Sequence, residues 1–102
     1  SLQDNIASEH YFTAEDGANY AYIVESKERE VHTPLWPESL GLLTFCVLVL
    51  KNGFTVTGES ACASPENFDA EIGRKIARQN AVQKMWPLMG YELKQRLHEA
   101  AR

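Results

Sequence analysis

Two cysteines and three histidines in 102 residues leave little material for metal or thiol chemistry. No Cys/His pair stands at ligand spacing, so a zinc site is unsupported, and two cysteines are too few for a disulfide framework. His10, His32 and His98 are scattered, and none stands at a partner spacing for a Ser or Cys nucleophile. No long hydrophobic run exists. The most apolar stretch, residues 40–50, contains Thr44 and is too short to span a bilayer. Gly53, Gly58, Gly73 and Gly90 are too dispersed for a phosphate-binding loop. Basic residues are also in deficit, with a net charge of −4, which argues against a dedicated nucleic-acid binder. The expectation is a non-enzymatic chain with no cofactor, no metal and no membrane segment. The few cysteines and the lack of a secretory pattern fit a reducing cytoplasm.

What is present is a single domain's length of ordinary globular composition, read as one domain over 1–102: 44% hydrophobic and 24% charged. The charge is divided. Residues 1–66 carry ten acids against three bases, and residues 67–102 carry seven bases against four acids. Such a division can be two solvated faces, or a local positive site on the C-terminal half that faces an anion.

The sharpest local signal is Asn52-Gly53 between Leu42–Lys51 and Phe54–Thr57, which predicts a β-hairpin. With a two-residue loop, paired positions sum to 105: Val49 opposes Val56 and Phe45 opposes Ser60. Leu43, Phe45, Val47, Val49, Phe54 and Val56 then share a core face. Leu42, Thr44, Cys46, Leu48 and Leu50 share a mixed face with Thr55, Thr57 and Glu59, to be covered by the N-terminal segment or another subunit. Cys46 and Cys62 fall on opposite faces and are expected as free thiols.

After the hairpin, Ser64-Pro65 predicts a helix start, with acids in the first turn. Phe68, Ile72, Ile76 and Trp86 fall along one stripe, expected to pack on the Phe45/Val47 face. Ala70, Gly73, Ala77 and Ala81 form a small-residue face open to another helix or subunit. Pro87 should end or kink this helix at Trp86, and residues 88–101 read as a second helix with Leu88, Leu93 and Leu97 as contacts. Upstream, residues 2–10 read as a short helix and Thr13–Asp16 as a capped turn stopped by Gly17. Residues 20–25 read as a third strand, and 26–41 as a loop or arm. The expected fold class is α+β: a small antiparallel sheet built on the 42–63 hairpin, packed by two C-terminal helices, with a short N-terminal helix.

The run Lys51-Asn-Gly-Phe-Thr-Val-Thr-Gly-Glu-Ser60, then Ser64-Pro-Glu-Asn-Phe-Asp-Ala-Glu-Ile-Gly-Arg-Lys-Ile-Ala77 and Trp86-Pro-Leu-Met-Gly-Tyr91, resembles a family of small tailed-bacteriophage and prophage accessory proteins. The likeness runs from about Leu43 to Leu97, and His10–Gly17 resembles a variant of that family's N-terminal segment. The resemblance implies a phage protein made in the cytoplasm of the infected bacterium, of a kind that modulates host defence or metabolism. It brings no established activity.

Arg74, Lys75 and Arg78 lie on one flank of the predicted helix. They form either a surface ion-pair network, with Glu71 reaching Lys75, or a phosphate clamp. Tyr11, Phe12 and Trp36 are candidates to stack on a base, with Tyr91 read as core. Glu59, after Gly58, is either a solvated edge carboxylate or a ligand acceptor. Gln79 and Asn80 interrupt the helix's apolar side, and such amides are expected to be satisfied within the fold. Together the residues suggest a non-catalytic, homo-oligomeric binder that sequesters a small anionic, nucleotide-like host molecule. Two alternatives stay open. One is direct inhibition of a host protein through the 27–40 arm with Trp36-Pro37. The other is a nucleic-acid module, since a hairpin followed by an Ala-rich basic helix is similar in architecture to a double-stranded-RNA-binding domain.

Overall fold

The computed structural model describes residues 1–26 and 32–102. The predicted arm at 26–41 therefore lies partly outside the described residues. Its described part has no regular structure over 32–37 and then a 3-10 turn, Glu38–Leu42.

The fold class is α+β, as the sequence predicts. Three antiparallel strands lie in the order β1 (Ile6–Thr13), β2 (Leu43–Leu50), β3 (Thr55–Ala61). Helix α1 (Ala14–Glu25) follows β1, and α2 (Ala70–Gln83) and α3 (Met85–Ala100) follow β3.

The hairpin forms where Asn52-Gly53 places it, but its register is one residue from the expected one. Pairs sum to 104, with Phe45 opposite Glu59 and Val49 opposite Thr55. The reason is in the loop. A two-residue type I′ turn needs positive φ at both central residues, and Gly53 alone has it, at 89°. The chain instead closes a three-residue loop. Gly53 N–H donates to the Leu50 carbonyl, Leu50 N–H donates to the Phe54 carbonyl (both 2.8 Å), and the Asn52 side chain accepts from Phe54 N–H.

A slip of one residue exchanges the faces of one strand relative to the other. The buried face is Thr44, Cys46, Leu48 and Leu50 with Val56 and Gly58, and the expected core face of Phe45, Val47 and Val49 is turned outward and half-buried. The cysteines are free, as expected, though not because they diverge. Cys46 pairs with Gly58, and Cys62 N–H bonds the Leu42 carbonyl. Four strand residues, about 13 Å, separate those positions, too far for a bond.

The helix face is corrected with the sheet face. Gly73, Ala77, Ala81 and Met85 are buried, four residues apart, while Ile72, Ile76 and Trp86 remain 55%, 40% and 58% exposed. Small residues win because α2 lies directly on β3. A Cβ at Gly58 would sit 2.2 Å from the Ala77 carbonyl oxygen and 2.3 Å from the Ala81 nitrogen. The even-numbered sheet face, expected under the N-terminal segment or another subunit, and the Ala/Gly helix face, expected against another helix or subunit, meet each other within one chain. Leu2, Ile6, Tyr11 and Val82 close the margin of this core.

The helix boundaries also move. Ser64-Pro65 starts only a 3-10 turn (Pro65–Asn67), without a side-chain cap bond. Asp69 caps α2 itself, accepting from Glu71 and Ile72 N–H at 3.0 and 3.2 Å. α2 ends at Gln83 rather than Trp86, because Pro87 cannot donate to the Gln83 carbonyl and its ring crowds it. Leu88, Leu93 and Leu97, expected as packing contacts, are 36%, 50% and 58% exposed.

At the N-terminal end, residues 2–10 form a 3-10 turn (Gln3–Asn5) and then β1, not a helix. Residues 20–25 belong to α1, so the third strand comes from β1. A complete capping box starts α1. Asp16 N–H donates to Thr13 Oγ1 (3.1 Å), and Thr13 N–H donates to the Asp16 carboxylate (2.9 Å). The helix then runs on through Gly17, whose penalty of about 1 kcal/mol does not stop it.

Candidate functional site

Packing of the small-residue stripe on the sheet sets the direction of the basic flank of α2. Arg78 reaches across to β1, which presents Glu9, Tyr11 and Thr13 on the core side. Its Nε donates to Glu9 Oε1 at 2.8 Å, and its Nη2 donates to Glu9 Oε2 at 3.2 Å and to Gln3 Oε1. This two-pronged pairing suits a guanidinium and a carboxylate. Tyr11 Oη donates to the same Glu9 Oε1 at 2.7 Å.

The network perturbs its members. Arg78, and then Tyr11, hold the Glu9 carboxyl below the usual carboxylate range. The same pair raises Arg78 further. Burial first, and the bond to Glu9 second, push the Tyr11 phenol up. Burial also pushes up the Cys46 thiol, the residue opposite Tyr11 on β2, so it is a weak nucleophile. Arg78 thus ties α2 to the edge strand and is occupied by a carboxylate.

Arg74 stands one turn earlier on the same flank and has no hydrogen-bond or ion-pair partner among the described residues. It lines a hollow of about 140 Å³ at the junction of β1, α1 and α2. Tyr11 and Phe68 line it with Thr13, Asp16 and Thr44, and Phe12 borders it from the outward side of β1, its ring 5.7 Å from that of Phe45. Thr13 and Asp16 are engaged with each other in the capping box, so Arg74 is the cation left to meet a ligand there. A second hollow, about 170 Å³, lies beside it and shares Thr44 and Phe68. Each is smaller than the ~300–1,000 Å³ of sites that enclose a drug-sized ligand. Either one fits a phosphate or a single ring.

Of the seven residues singled out from sequence, Tyr11, Phe12 and Arg74 come together at this hollow, with Arg78 behind it through Glu9 and Tyr11. Lys75 is exposed, lines neither hollow, and does not form the expected pair with Glu71 among the described residues. Trp36 is held elsewhere. Its Nε1 donates to Asn19 Oδ1, and its ring meets Tyr22 edge-on at 6.2 Å. Glu59 is exposed on the outer sheet face, opposite Phe45, and its backbone carbonyl accepts from Asn80 Nδ2 at 2.8 Å. That satisfies Asn80 within the fold, as expected. What approaches the backbone at Gly58 is α2, not a ligand.

Phe68 and Thr44 went unrecognised. By sequence Phe68 belongs to a packing stripe that the fold does not use, and Thr44 to a mixed face expected to be covered by the N-terminal segment or another subunit. Ser8 Oγ and His10 Nε2 also meet, at 2.9 Å, on the outer face of β1. Among the described residues nothing orients the other ring nitrogen, so the pair lacks the third group of a catalytic triad.

The described residues include no helix long and apolar enough to cross a membrane. Compared with known proteins, the chain matches one family model, and it does so over residues 1–97. No curated protein and no solved structure matches it. The chain belongs to the phage protein family described as N4 Gp49/phage Sf6 gene 66.

Proposed function

We propose that this member of a phage protein family captures a small phosphorylated, nucleotide-like molecule of the infected bacterium, holds it unchanged, and so withdraws it from a host defence response. The observation that carries the reading is Arg74, a guanidinium without a partner among the described residues, on a hollow lined by Tyr11 and Phe68 and bordered by Phe12. The guanidinium supplies bidentate donors for a phosphate. An aromatic wall supplies stacking, worth about 1–3 kcal/mol per base in single-strand binders. The ligand's phosphate sits against Arg74, and its ring extends past Phe68 towards the second hollow, since neither hollow holds a whole nucleotide. Lys75 adds long-range attraction from the rim. Arg78 acts indirectly, by fixing Glu9 and hence Tyr11. Among the described residues no nucleophile–base–orienter set lines the hollow, which favours holding over conversion.

The test is capture and release. Excess protein is mixed with a panel of phosphorylated nucleotides, the bound fraction is removed, and the protein is then heat-denatured. Intact nucleotide should reappear, and Arg74→Ala should abolish depletion while leaving the thermal melt unchanged. A cleaved product would make the protein an enzyme. No depletion of any nucleotide would shift the reading to direct inhibition of a host protein. A mobility shift on duplex RNA with steep salt dependence would shift it to nucleic acid.

A further inference from the structure

Helix α3 is unlike the rest of the molecule. Its 16 residues extend about 24 Å, and every residue from Gly90 onward is exposed. The chain's radius of gyration is accordingly 18.1 Å, against about 13 Å for a compact domain of this length. Yet α3 is not polar all round. Trp86, Met89, Leu93, Leu97 and Ala100 recur at spacings of three and four along one side. Trp86 is 58% exposed, Leu93 50% and Leu97 58%. A helix this short is marginal in water without an apolar partner.

The geometry points to a second copy of this chain as that partner, packed antiparallel on α3 about a two-fold axis at Leu93. The stripe is complementary to itself in that arrangement. Leu93 meets Leu93 of the other copy, Met89 meets Leu97, and the largest residue, Trp86, meets the smallest, Ala100. An open cleft of about 510 Å³ lies at the start of α3, lined by Leu2, Trp86 and Met89 with Gln3 and Asn5. It is where the far end of an antiparallel partner helix, Leu97 and Ala100, arrives. Charge agrees with shape. Glu92 and Arg96 share one flank and already pair within the helix at 3.6 Å. Two-fold antiparallel packing brings the Arg96 of each copy beside the Glu92 of the other.

The experiment is light scattering on the purified chain at micromolar concentrations. The expected mass is twice 11.5 kDa. Leu93→Glu places two carboxylates at the axis and should raise the dissociation constant at least about thirtyfold, as loss of a central contact does. The variant should still unfold cooperatively, because Leu93 is exposed within one chain, with its melt lowered only by the lost association. Gln95→Glu, on the opposite side of α3, should leave the dimer intact. Arg96→Glu should weaken association, and Glu92→Arg with Arg96→Glu should restore it. If Leu93→Glu is insoluble, mild oxidation with diamide of Leu93→Cys should give a covalent dimer, and Gln95→Cys should not. A monomer at 100 µM overturns the proposal, as does a dimer that survives Leu93→Glu without a 93–93 cross-link.

Discussion

The sheet with α2 and the helix α3 are built from opposite materials. Where α2 meets β3 the contact is made by Gly58, Ala77 and Ala81, and the backbones approach so closely that no side chain fits at position 58. Three residues past the end of α2 the large apolar residues begin, and there Trp86, Leu93 and Leu97 face outward. On α2 and the start of α3, Met85 apart, small residues are buried and large ones exposed, the reverse of the usual correlation between hydrophobicity and burial. Burial follows from how near two backbones can come, and a large side chain is buried only if a partner surface exists to receive it.

The largest expected effect tests the close approach. Gly58→Ala would force a methyl into the Ala77 carbonyl and should cost about 3 kcal/mol, with Gly58→Val leaving the chain unfolded in a urea melt. A Gly58→Ala protein as stable as the parent would mean that α2 does not lie on β3. Next is Leu48, fully buried on the even-numbered face. Leu48→Ala should cost about 2–5 kcal/mol, while Val47→Ala, on the outward face, costs much less. Equal losses would erase the distinction between faces.

Smaller again is the tie between α2 and the edge strand. Arg78→Ala should cost about 1 kcal/mol, since both side chains remain about a third exposed. Its pH dependence has a definite sign. The Glu9 carboxyl is lower in the folded protein than its ordinary 4.5. Its stabilisation is complete above that value and lost as pH falls through the folded one. The stability difference between the parent and Glu9→Gln should therefore be full at pH 6 and shrink in urea melts below pH 4. The smallest effect sharpens the contrast from the other side. Ile72→Ala, on the exposed stripe of α2, should change stability by less than about 1 kcal/mol, although it removes as many carbons as Leu48→Ala.

The candidate site was legible in part. Tyr11, Phe12 and Arg74 were visible by residue type, because aromatic rings and a guanidinium carry their chemistry with them. That Arg78 is occupied and Arg74 is not depends on Glu9, 69 residues away from Arg78 in the chain. No local pattern reports such a pairing. β1 was hidden for a similar reason. Glu9 and Tyr11 face the core side, and Ser8, His10 and Phe12 face outward, so the strand has no polar–apolar alternation to read. Tyr20, Tyr22, Ile23 and Val24 suggested a strand by type, yet the Thr13–Asp16 capping box had already started a helix.

By itself the sequence determined the α+β class, the position of the hairpin, the existence of the two C-terminal helices and the phage kinship. Each of these rests on neighbouring residues: Asn52-Gly53, a helical period, a run of matching motif. Tertiary structure decided which face is inside. β2 is apolar on both sides, so its own residues do not choose. The choice came from one left-handed glycine at position 53, which set the register, and from the bare backbone at Gly58, which let α2 settle on the even-numbered face. The first acts within the turn itself, through a loop length that the residue pair does not announce, and the second is a contact between segments that meet only once the chain has folded.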